Sequence, residues 1–137
     1  MRRVRNVLPV QGPAHLHAVL ILVGLLGCNG KDTPATFTEV QDSLLQPSCA
    51  FSSCHGSGSG GLDLSADVAY DALVDIPSAA AEGETLVIPG DPDNSYLVKK
   101  LMGADGITGD EMPPGAGLTG ERLDLVISWI ENGAAND

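Results

Sequence analysis

The stretch Cys49-Ala50-Phe51-Ser52-Ser53-Cys54-His55-Gly56 puts two thiols and an imidazole into one short run of chain. Whatever fold the chain takes must turn tightly enough there to use them. His15, His17 and His55 are the only histidines. A zinc site of two histidines and two cysteines would therefore need His15 or His17 beside His55. A site made of Cys49, Cys54 and His55 alone is crowded and lacks the second ligand cluster expected of structural zinc.

Two cysteines followed at once by a histidine mark covalent haem attachment. In the usual C-x-x-C-H form both thiols become thioethers and the imidazole takes the iron. Here four residues separate the cysteines, and Phe51 stands where the first cysteine of the usual form would be. Three arrangements are open. Cys49 forms a thioether across a wider loop. Alternatively, the haem hangs from Cys54 alone, with Phe51 packing on the ring. Or no haem binds, and Cys49 and Cys54 close a disulfide on a non-haem domain with a structural or interaction role.

The first 27 residues read as a leader rather than as part of the fold. Arg2, Arg3 and Arg5 make a basic start, and an apolar run from Leu16 to Leu26 follows. That run is short for a membrane span and has the layout of an export signal. It ends Leu25-Leu26-Gly27-Cys28, similar to the lipobox of bacterial lipoproteins, in which the cysteine is lipidated after cleavage. Residues 1–27 are thus expected to be a lipoprotein signal peptide, 28–35 a lipidated tether and 36–137 the folded domain. Cys28 is the expected lipidation site, in a periplasm-facing lipoprotein of the cell envelope. Asn29 is not the aspartate that signals inner-membrane retention, which favours the outer membrane. Removing the leader leaves His55 as the only histidine. The formal charge is −11; residues 1–27 hold three arginines and no acid, so cleavage takes it to −14. Such a balance argues against nucleic acid and toward a protein partner with a basic docking patch. It also serves plain solubility.

The remaining pattern is helical. Thr36 and Glu39 read as a capping box for a first helix to about Gln46, stopped by Pro47. Gly56–Gly61 reads as a flexible loop, and Ser65 as the cap of a second short helix with Val68, Leu73 and Val74 inward. Thr85–Ile88 is at most an edge strand. Asp91 with Pro92 reads as the start of a third helix, carrying Tyr96 to Met102 and stopped by Gly103. As calcium ligands, Asp91, Asp93 and Asn94 lack the required spacing. Thr119 reads as the cap of a last helix whose face is Leu123, Val126, Ile127 and Ile130, widened by Leu125 and Trp129. The expected class is all-α, with about four helices and long Gly/Pro-rich loops. Aromatics make up only 4% of residues, so the core is thin unless a large apolar group fills it.

A haem iron that only moves electrons needs two axial ligands, and His/Met is the pair that raises its potential. His55 is the candidate on one side. Met102 lies on the apolar side of the third helix, where a core role is expected. Met112 lies in the long connection between Gly103 and Gly117 and is followed by Pro113 and Pro114, which stiffen the backbone that carries it. The plainer role for Met112 is packing under the last helix.

With CHG after the first helix, the MPPG loop, PGDPDNSYLVKKL and a closing LDLVISWIENGA, the chain resembles class I cytochromes c of the small exported bacterial kind. The resemblance spans residues 36–134. It implies first and last helices that cross and pack, one covalent haem c at Cys54 and His55 with Cys49 in the motif's first position, and Met112 closing the other haem face. It implies an electron carrier between redox partners rather than an enzyme. A peroxidase or gas sensor with an open sixth position fits the Met112 loop poorly.

Overall fold

Thr36 opens the first helix as its sequence predicts. Its hydroxyl accepts from the Glu39 amide at 3.1 Å, and the Glu39 carboxylate accepts from the Thr36 amide at 3.0 Å. The structure, a computed structural model, describes residues 33–137. The leader, Cys28 and most of the tether lie outside the described residues. Helices are the only regular elements among those described: α1 (Phe37–Val40), a π-helical continuation (Gln41–Cys49), a 3₁₀ segment (Gly56–Gly61), α2 (Ala69–Leu73), α3 (Tyr96–Met102) and α4 (Glu121–Glu131). The fold is all-α. Thr85 and Val87 make only isolated bridges, to Pro77 and Val74.

Pro47 does not stop the first helix. The chain winds through it to Cys49 in the wider π register, closed by the Ala50 amide on the Leu45 carbonyl at 2.8 Å. Proline has no N–H for the carbonyl four residues back, and its ring crowds that group. In the π register each bond runs to the carbonyl five residues back, away from the carbonyl that the ring would crowd. Arg122 Nη2 of α4 donates to the Ser43 carbonyl at 3.2 Å and also reaches Ser48 Oγ, which ties α4 to this segment.

The core is aromatic at its centre despite the low aromatic content. Phe37 of α1 and Trp129 of α4 have ring centroids 5.2 Å apart, and Tyr70 of α2 meets Phe37 edge-on at the same distance. Both polar handles are used: Tyr70 donates to the Ala134 carbonyl and Trp129 to the Ala135 carbonyl, each at 2.9 Å. Leu123, Val126 and Ile130 bury the rest of the α4 face, which packs on both α1 and α3.

Several local expectations are corrected. Ser65 does not cap α2; its hydroxyl bonds Asp63, and α2 begins at Ala69 without a side-chain cap. Val68 points outward and is exposed, because the helix starts one residue beyond it. Asp91 does not start α3 either. Its carboxylate holds the Asn94 amide in a tight turn, and α3 begins at Tyr96 with buried Ser95 before it. The amides of Tyr96 and Leu97 donate to the carbonyls of Thr85 and Leu86, both at 2.8 Å, so an extended backbone segment does the work of a cap. α4 opens on Gly120 rather than on the Thr119 side chain. Met102 is 55% exposed rather than part of the core.

Candidate haem-type cavity

The cysteine stretch leaves the π-helix and folds back on itself. The His55 amide donates to the Cys49 carbonyl at 3.0 Å, and the Cys54 and Gly56 amides both donate to Phe51, at 2.9 and 2.8 Å. The four residues between the cysteines are thereby taken up in one turn, and both thiols reach the same cavity. Gly56 is what allows the turn, since a β-carbon there would sit 2.6 Å from the Ala50 carbonyl oxygen.

That cavity is ≈ 710 Å³. Its size falls in the range of roughly 300–1,000 Å³ typical of cofactor sites. Leucines of the first helix (Leu44, Leu45), of the Gly-rich turn (Leu62, Leu64) and of α3 (Leu97, Leu101) wall it. Cys49, Cys54, His55 and Met112 all line it as well, together with Pro113 and Pro114. All four predicted site residues among those described thus meet in one apolar space. Met102 does not line it. Nor does Phe51, which is 51% exposed. A second groove, ≈ 400 Å³ beside α4, is lined by Glu39, Glu121 and Asp124 and by no thiol, thioether or imidazole.

The two cysteines differ. Both are free thiols in this structure. Cys54 is exposed at the cavity, whereas Cys49 is half-buried against the core. Burial pushes the Cys49 thiol above its ordinary pKa. Arg122 offsets this in part, and the neighbouring Cys54 adds to it.

His55 is held from two sides. Its Nδ1 lies 3.3 Å from the Leu62 carbonyl. A carbonyl only accepts, so Nδ1 is the donor in this contact and Nε2 is the nitrogen left to face a ligand. Gly60 lies beside the ring, where an added β-carbon would stand 3.0 Å from Cε1 and 3.1 Å from Nδ1 and crowd it. The run Gly56–Gly61 is therefore not simply a loose loop. Its backbone leaves helical geometry from Ser57 to Gly60, with Gly58 and Gly60 in the left-handed region, and brings Gly60 back against the imidazole. The sequence signal for this role was present in glycines one and five residues after the histidine, but a glycine-serine run reads first as a linker.

Met112 is carried by a loop bonded to α3. The Met112 amide donates to the Lys100 carbonyl at 2.8 Å, and its side chain packs against the core at the cavity. Comparison with family models, with curated proteins and with solved structures finds no match to this chain.

Proposed function

We propose that the domain is a monohaem c-type cytochrome, an electron carrier rather than an enzyme, tethered through lipid at Cys28 on the periplasmic side of the envelope. One observation carries the reading: Cys49, Cys54, His55 and Met112 line a single apolar cavity of ≈ 710 Å³. The donor set fits the group. Two thiols are available for thioethers, an imidazole has its Nε2 free, and a soft thioether lies in the same space. Cys54 and His55 would attach and ligate the haem c, Cys49 would supply the second thioether across the longer turn, and Met112 would be the second iron ligand. When bound, the haem supplies the one-electron iron couple. The chain's own residues would supply a largely apolar site, which raises the potential, and would hold His55 and Met112 in place.

The partner follows from charge. Lys99 pairs with Glu84, Lys100 is committed to the Met112 loop, and Arg122 is committed to the first helix. Every basic side chain among the described residues is thus engaged, and the charge offered to a partner is acidic. A basic docking patch on a redox protein is the complement.

The test is to produce the protein in a host that matures c-type haem, then stain a denaturing gel for haem and weigh the intact protein. A gain of one haem mass supports the proposal. An unmodified mass, or one lighter by two protons (a Cys49–Cys54 disulfide on a non-haem domain), overturns it.

A further inference from the structure

We infer that Tyr96 and Lys100, one turn apart on α3, are positioning residues that set Met112 at the cavity and so govern how firmly its sulfur holds the iron. The inference rests on the haem reading above but goes beyond it, because neither side chain belongs to the attachment motif or to the ligand set.

Lys100 grips the loop at both ends of its own residue. Its Nζ donates to the Thr108 carbonyl at 2.9 Å and to the Asp110 carbonyl, while its backbone carbonyl accepts from the Met112 amide at 2.8 Å. Tyr96 is 3% exposed, and its hydroxyl oxygen accepts from the Thr108 amide at 2.9 Å. Both side chains line the same cavity as Met112. The loop from Thr108 to Met112 is thus bonded to α3 at Thr108, Asp110 and Met112. A lysine ammonium usually seeks water or a carboxylate. Here it is spent on two backbone carbonyls, and these lie four and two residues before the methionine. That use is costly in side-chain freedom and is explained if the loop must hold one position. The neighbouring Lys99 shows the ordinary alternative, a salt bridge to Glu84 at 2.7 Å.

A methionine ligand competes with added carbon monoxide for the ferrous iron, and a looser loop loses that competition more readily. The experiment measures carbon monoxide affinity and the sulfur-to-iron charge-transfer band of the holoprotein, with amide exchange at Thr108. The variants are Lys100→Met, Tyr96→Phe, Lys100→Arg, Lys99→Met and Met112→Ala. Losing a hydrogen bond to the loop should tighten carbon monoxide binding about fivefold in Lys100→Met. Tyr96→Phe should act in the same direction and speed Thr108 exchange. Lys100→Arg, which keeps a cationic donor, should recover most of the loss. Lys99→Met removes an ion pair from the same helix and should leave the iron unchanged, which separates positioning from general destabilisation. If Met112→Ala opens the iron but Lys100→Met and Tyr96→Phe match the parent protein, the inference fails and the haem reading stands. If the parent protein carries no haem, or Met112→Ala changes nothing, the ligand assignment fails and the inference falls with it.

Discussion

Gly60 leaves no room for a side chain beside the imidazole of His55: a β-carbon there would stand 3.0 Å from Cε1 and 3.1 Å from Nδ1. Gly58 has a similar positive φ, +78° against +68°, but a β-carbon there meets nothing within 4 Å. The pair therefore separates backbone strain from contact. Gly58→Ala should cost about 1 kcal/mol for the left-handed backbone alone. Gly60→Ala should cost about 1–3 kcal/mol more, as overpacking does. It should also break the Nδ1 bond to Leu62, which histidine ring NMR of the two variants would read directly.

The thiols should be chemically distinct in haem-free protein. Alkylation proceeds through the thiolate. Cys54 is exposed and should be labelled first, while Cys49 is shielded and its thiol is held neutral by burial, so it needs more alkaline solution. The stability consequence has a definite sign. A thiol whose pKa is raised by folding contributes fully below its unfolded pKa, and that contribution is lost as pH rises through the folded value. Haem-free protein should therefore weaken above the ordinary thiol range, and Cys49→Ser should remove that alkaline loss. Mass-resolved labelling and urea melts against pH check both statements.

Trp129 sits at 1% exposure against Phe37 and Tyr70. Trp129→Ala should destabilise the domain by about 3–5 kcal/mol, enough to unfold much of a small domain. Near-ultraviolet circular dichroism should report the loss of the aromatic cluster.

Arg122→Met removes the donor that serves the Ser43 carbonyl four residues before Pro47. The expected cost is about 1 kcal/mol. Ser48→Ala removes the second acceptor of the same guanidinium, and its effect should shrink once Arg122 is gone. A double-mutant cycle by urea denaturation would measure the coupling.

Some of this was legible in the residues and some was not, for identifiable reasons. The Thr36–Glu39 box, the α4 face and the glycine stop after Met102 are local, and local chemistry decided them. Where a distant group intervened, the local reading failed. Pro47 reads as a stop, yet the winding widens around it and Arg122 of α4 ties the segment down at Ser43 and Ser48. Asp91 and Ser65 look like caps, but their side chains close turns, and α3 is capped instead by the carbonyls of residues 85 and 86. Met102 falls on an apolar stripe in sequence yet is exposed, because it is the last residue of α3 and the buried face there is carried by Tyr96, Val98 and Leu101. In the cavity, the four candidate side chains were visible as chemistry, whereas their supports Gly60, Tyr96 and Lys100 emerge only from the folded chain.

The last residue described bears on how the domain is made. The Asp137 carboxylate accepts from the Phe37 amide at 2.9 Å, and its backbone carbonyl accepts from the Thr38 amide and hydroxyl at 2.9 and 2.7 Å. These bonds, like the Phe37–Trp129 contact, join residues about as far apart along the chain as the domain permits. Contacts of such separation form late and slowly, since the intervening chain must first be ordered. The bonds from Phe37 and Thr38 to Asp137 therefore close only after the chain between them is ordered, whereas the Thr36–Glu39 box and the cysteine turn are local. Any group added covalently to Cys49 and Cys54 before that point would be joined to an open chain, which would then close around it.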